Sequence, residues 1–392
     1  MKARARWGAL LAALLLLQGF LLSPAAGDQD DWSAYIVVED QDALPPDPAL
    51  QARMLVRMMT DREKVYQLFL VSPEQLTGES RTAGLGRDNV LKERPVGGVI
   101  LFGQNIETED QLRQLTDAFQ AQARQAGLYP LFIAVNEAGG AVSRVAGKLG
   151  YAPAEAPNAL GARANEAGAR DAGAYIASYL SPLGVNLNFA PVADTRLDGS
   201  SPGDLSYGDD PQVASRLCQA MAAGLREGGV IPCLLHFPGQ GSKEGTTLSA
   251  LSVRRTAEEM RASEWIPFRD GIQSGVGMIQ VSHAYMRSLG ETIPASLSPQ
   301  VVEGFLRREL GFSGVIATDS LRMAAVTKDY KPGPAAVSAL LAGADLLVLP
   351  ADLDAAAQGI FSALEKGQIT MARIEESVQR ILMLKIQSGL IR

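Results

Sequence analysis

The chain of 392 residues carries only two cysteines and two histidines. Two cysteines exclude a disulfide-stapled scaffold and a cysteine-based zinc or iron–sulfur centre. Cys218 falls in a helical pattern and Cys233 in an apolar run, and whether they pair stays open at this level. Two histidines exclude most multi-histidine metal sites. A basic surplus is also missing: 36 Lys and Arg stand against 43 Asp and Glu, a formal charge of −7. Such a chain has no electrostatic footprint for nucleic acid. Charged residues make up only 20% and hydrophobic ones 47%, which excludes a disordered chain.

The first 27 residues read as a targeting segment. Lys2, Arg4 and Arg6 precede an apolar stretch from Trp7 to Leu22, and Ser23-Pro24-Ala25-Ala26-Gly27 follows. Basic start, apolar middle and small residues at the end are the layout of a signal peptide. At about 16 residues the stretch is short for a bilayer span of about 20, so cleavage is the first expectation and an uncleaved anchor the second. No cysteine follows it to take a lipid, and no later run is long enough to span. The expected location is secreted or extracytoplasmic, with membrane contact only through an uncleaved segment. Residues 28–52, with Pro45, Pro46 and Pro48, read as an extended leader before a domain over 53–392.

From there the chain alternates short apolar runs with longer amphipathic segments. The runs are Val65–Val71, Gly97–Phe102, Leu131–Asn136, Val185–Pro191, Ile231–Phe237, Gly277–His283, Gly314–Asp319 and Asp345–Pro350. Continuous apolar runs of this length suit parallel strands buried on both faces. Helices are expected over Thr108–Ala126, Gly161–Leu183, Pro211–Glu227, Thr256–Ser274, Ser298–Leu310 and Ala372–Leu390. Thr256 and Glu259 have the spacing of a capping box. Eight strand–helix units predict a single-domain α/β protein, a (β/α)8 TIM barrel. A doubly wound sheet is the competing topology, and the absence of a glycine-rich dinucleotide fingerprint after the early strands weakens it.

A barrel of this kind builds its site at the C-terminal ends of its strands. Those ends hold Asn136, Asp194, His236, His283 and Asp319, and both histidines of the chain fall among them. The histidines are candidate ligand-site residues, or polar groups that close the barrel mouth. A carboxylate at the end of Val315-Ile316-Ala317-Thr318-Asp319 is costly unless hydrogen-bonded or used. It is a candidate for chemistry, or a cap for the helix that follows.

Several segments carry a resemblance. They are Met59–Val65, Pro95–Phe102, Asn188-Phe189-Ala190-Pro191-Val192-Ala193-Asp194, His236-Phe237-Pro238-Gly239, Ala342-Gly343-Ala344-Asp345 and Arg380-Ile381-Leu382. With them the chain resembles glycoside hydrolase family 3, in its single-domain β-N-acetylglucosaminidase (β-N-acetylhexosaminidase) branch. The resemblance implies a TIM barrel that removes terminal β-linked amino sugars with retention, so the implied partner is carbohydrate, and no metal or cofactor is implied because retaining hydrolysis needs neither. It implies Asp319 as nucleophile; Asn136, Asp194, His236, His283 and Gln240 are the candidate substrate-binding residues beside it.

The same resemblance exposes departures. The branch places a His–Asp acid/base pair on the loop after strand five, where this chain has Leu248 and Thr246. Leu235 stands where the branch has Lys, Gln240 where it has His, and Asn136 where it has Asp. Ala138, Ala141 and Leu205 replace a Glu and two Arg. Glu244 lies on the same loop and is the one candidate replacement acid, or a solvated residue beside Lys243. Three readings follow: weak hydrolysis with a rebuilt acid, action on activated glycosides by the nucleophile alone, or a non-catalytic glycan-binding relative.

Overall fold

The computed structural model describes residues 47–79, 89–195, 203–240, 243–244 (backbone only) and 252–392. The segment expected as a signal peptide lies outside them, as does the expected leader up to residue 46. The remainder of that leader is not extended. Pro48–Met58 is a helix that lays Ala52, Leu55 and Val56 into the core and packs on the last helix, Met371–Gln387. Pro48 suits its first turn, where a missing N–H costs nothing.

Eight parallel strands form one sheet: β1 Phe69–Val71, β2 Gly98–Ile100, β3 Phe132–Val135, β4 Leu187–Asn188, β5 Ile231–Phe237, β6 Met278–Val281, β7 Val315–Thr318 and β8 Leu347–Val348. Each pairs with its neighbour in chain order, β1 also pairs with β8, and Ala317 bridges Leu346 to join β7 to β8. The sheet therefore closes into a (β/α)8 barrel. Nearly every strand residue is buried, as expected where helices cover the outside and side chains fill the inside. β2 can lie against β3 because position 98 is glycine: a Cβ there would sit 2.5 Å from the Phe132 carbonyl oxygen.

Each of the eight expected runs contains a strand, but the first is shorter than its apolar content suggests. Asp61–Gln67 is helical, opened by a capping box in which Thr60 and Glu63 bond each other's backbone N–H. The cap overrides the apolar pattern of Val65 and Tyr66, and the strand begins only at Phe69. The expected helix over Gly161–Leu183 is interrupted for a similar reason. Asn165 takes the Gly168 N–H at 3.0 Å and starts a new helix, Glu166–Leu180, after Pro157–Ala162 has ended. Thr256–Ser274 likewise divides into Ala257–Arg261 and Ile266–Gln273, the second with proline in its first turn. Pro211–Glu227 forms over its full expected length, capped by Asp210, and buries Cys218. Cys218 and Cys233 are both buried free thiols. Among the described residues no helix is long and apolar enough to cross a membrane.

Candidate active site

The strand ends open on a cleft of about 440 Å³. β2 contributes Ile100 and Phe102 to its wall, β3 Asn136, β4 Phe189, β6 Gln280 and β8 Val348 and Leu349. The largest share comes from the end of β7: Asp319, Ser320, Arg322, Met323 and Ala324.

Asp319 is held from behind. Its N–H donates to Val281 O at 2.8 Å, extending the β6–β7 ladder by one residue. Its Oδ1 accepts the Ser320 N–H at 2.7 Å and lies 3.5 Å from Gln280 Nε2. Its Oδ2 has no hydrogen-bond partner among the described residues. Ser320 is fixed in turn by His283, whose Nε2 lies 2.9 Å from the Ser320 carbonyl and whose Nδ1 lies 2.6 Å from Ser296 Oγ. A carbonyl only accepts, so Nε2 carries the proton and Nδ1 accepts from the serine hydroxyl. Burial pushes the His283 pKa below its usual value against the opposing pull of Asp319, which favours this neutral form. His283 is only 3% exposed and is not part of the cleft wall. Among the named groups it supports the turn after the nucleophile position rather than facing a ligand.

The second histidine is tied to a second carboxylate. Asp194, 2% exposed, places Oδ2 at 2.8 Å from His236 Nδ1 and accepts the Gln240 N–H on Oδ1 at 2.8 Å. The carboxylate selects the tautomer protonated on Nδ1. Asp194, His236 and Gln240 thus form one cluster at the end of β5. They stand between the β4 and β6 residues of the wall without joining its lining. Of the residues expected around one pocket, Asp319 and Asn136 line the cleft, whereas His283 is buried against Ser296 and Ser320, and His236, half-buried with its Nδ1 on Asp194, lies outside that lining. The Asn136 amide has no intramolecular partner among the described residues. Glu244 pairs through its backbone with Ser252. Its side chain, with Thr246 and Leu248, lies outside the described residues.

Glu137 was not anticipated. Its buried carboxylate accepts the N–H groups of Val145 (2.8 Å) and Ala146 (3.0 Å) and the Tyr179 hydroxyl (2.8 Å). Burial raises its pKa against those donors. It caps the helix Arg144–Leu149, and Asn188 bonds both its N–H and its carbonyl. Nothing local in Asn136-Glu137-Ala138 marks it as a cap for a helix that starts beyond a glycine turn. Gln280 was also missed, although a polar residue within the apolar run Met278–Val281 is a readable signal.

Comparison with known proteins gives a consistent result. Residues 60–384 match the glycosyl hydrolase family 3 N terminal domain. The chain is 31% identical over 325 residues to Beta-hexosaminidase A of Pseudoalteromonas piscicida, covering 76% of this chain and 54% of that protein. It is 31% identical over 306 residues to a protein of Arthroderma benhamiae named an uncharacterized secreted glycosyl hydrolase, covering 74% of this chain and 85% of the other. Its fold matches a glycoside hydrolase family 3 beta-N-acetylglucosaminidase from Paenibacillus sp. str. FPU-7 with a TM-score of 0.79 and 33% identity, covering 85% of this chain. The chain spans 63% of that structure and little more than half of the Pseudoalteromonas protein.

Proposed function

The chain belongs to glycosyl hydrolase family 3, and on that premise we propose that it is a retaining glycosidase of β-N-acetylhexosaminidase type whose acid/base is depleted. Asp319 attacks the anomeric carbon and forms a glycosyl-enzyme that water then hydrolyses. The observation that carries this reading is the state of the Asp319 carboxylate. One oxygen is held by Ser320 and Gln280, and the other stands in the cleft with no hydrogen-bond partner among the described residues. A nucleophile needs that combination of fixed direction and open lone pair.

Leaving-group protonation is the weak step. Leu248 and Thr246 cannot deliver a proton near neutral pH, which leaves Glu244 as the candidate on that loop. A positioned general acid contributes about 10²–10⁴-fold in rate. The expected behaviour is slow turnover of activated aryl glycosides, whose leaving groups depart without help, and little action on natural oligosaccharides. The assay compares an aryl N-acetyl-β-glucosaminide with an aryl β-glucoside, using native protein and Asp319→Asn. Turnover of the amino sugar that Asp319→Asn abolishes supports the proposal. No turnover of either compound, with measurable glycan binding, establishes the alternative, a glycan-binding relative. The basic and apolar start of the chain and the name of the Arthroderma relative support a secreted protein. Mass spectrometry of the mature N-terminus tests this, and an intact Met1 on a cytosolic protein overturns it.

A further inference from the structure

We infer that the cleft takes a sugar bearing an oxyanion, and that Arg322 binds that group. The inference deepens the reading of the cleft as a sugar site and depends on it. Asp319 and Arg322 are the charged residues of the wall. Asp319 sits at the reacting end. Arg322 leaves the end of β7 and reaches across the mouth, past β8 and β1, to put its guanidinium carbon 5.6 Å from the centre of the Phe102 ring at the end of β2.

Arg322 is exposed and makes no hydrogen bond or ion pair among the described residues. Several other surface arginines are matched to carboxylates, as in Arg94–Asp354, Arg170–Glu227, Arg216–Glu166 and Arg261–Glu309. Arg322 differs from these in lining the cleft while having no carboxylate partner among the described residues. A second cation reinforces it. The Lys148 side chain lies against Gly103, the residue after Phe102, and it too has no carboxylate partner among the described residues. Arg322 and Lys148 thus both lie beside the Phe102–Gly103 turn, neither with a carboxylate partner among the described residues. A guanidinium beside an aromatic ring, with no acceptor for its N–H groups among the described residues, keeps those N–H groups available to an oxyanion. The like charge of Asp319 keeps that oxyanion away from the reacting carbon and on the Phe102 side. The neutral polar groups of the wall are few, namely Asn136, Gln280 and Ser320, so charge is the strongest discriminator the cleft offers.

Isothermal titration with matched pairs tests the inference: glucuronic acid against glucose, and N-acetylglucosamine 6-phosphate against N-acetylglucosamine. At low salt the anionic member of at least one pair binds about 10–100-fold more tightly, the range of one to two charge-assisted hydrogen bonds. Arg322→Gln collapses that ratio toward one, Arg322→Lys keeps part of it, and Lys148→Gln reduces it less. Which pair responds separates a carboxylate from a phosphate ligand. Equal binding within both pairs by native protein, or a ratio that survives Arg322→Gln, overturns the inference. Arg322 is exposed and makes one ring contact, so the variant folds, and a melting curve verifies it. Aryl glycoside turnover is measured in parallel. Turnover without anion preference refutes this inference alone, whereas anion preference without turnover refutes the glycosidase reading alone.

Discussion

Lys385 gives a test of how the barrel base is stabilised. Its side chain is fully buried, with Nζ at 2.9 Å from Gly97 O and 3.1 Å from Gln67 Oε1, and 4.8 Å from the centre of the Phe132 ring. No carboxylate pairs with it among the described residues. Burial pushes its pKa from 10.5 down to about 7. The unfolded chain holds this proton up to about pH 10.5, and the folded chain releases it near 7. Between those values the unfolded state binds more protons, so this group's contribution makes stability rise with pH. Its cost is absent above the upper value and complete below the lower one. At 1.36 kcal/mol per pH unit that cost is roughly 5 kcal/mol. Lys385→Met removes it. Gly97 O still accepts the Phe132 N–H at 3.1 Å, so only Gln67 Oε1 loses a donor, at about 1–3 kcal/mol. The variant is expected to be more stable than native by about 2–4 kcal/mol at pH 6, and equal to or up to about 2 kcal/mol less stable at pH 10, where little of the burial cost remains and the lost donor still counts. Urea unfolding at pH 6, 8 and 10 measures it. A gap independent of pH, or a variant less stable at pH 6, refutes the reasoning and makes the ammonium a net stabilising group.

Two further outcomes follow from buried charges. Asp345 is fully buried and accepts from Arg307, Arg380 (3.0 Å), Ser377 (2.7 Å) and the Ile316 N–H (2.9 Å). Asp345→Asn leaves Arg307 buried without its counter-charge and is expected to cost about 3–5 kcal/mol in urea unfolding, and a loss below about 1 kcal/mol contradicts this. His283 has a lowered pKa in the folded protein, so its unfolded form takes a proton first as pH falls through about 6.5 and native stability declines. His283→Gln is expected to flatten that decline in urea midpoints measured from pH 7 to 5, and an unchanged slope sinks the assignment.

The barrel was legible because its strands are buried on both faces. Such strands become uninterrupted apolar runs, and eight of them separated by amphipathic segments leave few topologies. Helix starts were legible where a side chain caps within three residues, as at Thr108 and Thr256. Helix breaks were not, because Asn165 reads equally as a surface residue inside one long helix. The site was legible in part. A strand end announces that a side chain reaches the mouth, but not whether it faces the cleft or the scaffold. Asp319 and Asn136 face the cleft. His236 and His283 are claimed by Asp194, Ser296 and Ser320, partners distant in sequence that no local pattern reveals. Arg322 carried no signal at all, since an arginine after a strand is ordinarily solvated.

The carboxylates sort themselves by what already occupies their oxygens. Glu137, Asp194 and Asp345 each have both oxygens hydrogen-bonded, to a helix start, to a histidine and backbone N–H, and to an arginine cluster. A carboxylate so bound has its lone pairs committed and stabilises the fold. Asp319, the one carboxylate in the cleft wall, differs from those three: one oxygen is fixed and the other has no hydrogen-bond partner among the described residues. If the acid is missing, the chemistry left to such a site is attack on a bond that is already weak. The rate then depends on the leaving group rather than on the protein, by up to the roughly 10²–10⁴-fold that a general acid supplies. A steep dependence of turnover on leaving-group pKa is therefore the kinetic mark of this arrangement. An intact acid would flatten it, because the proton would arrive whatever the leaving group's own basicity.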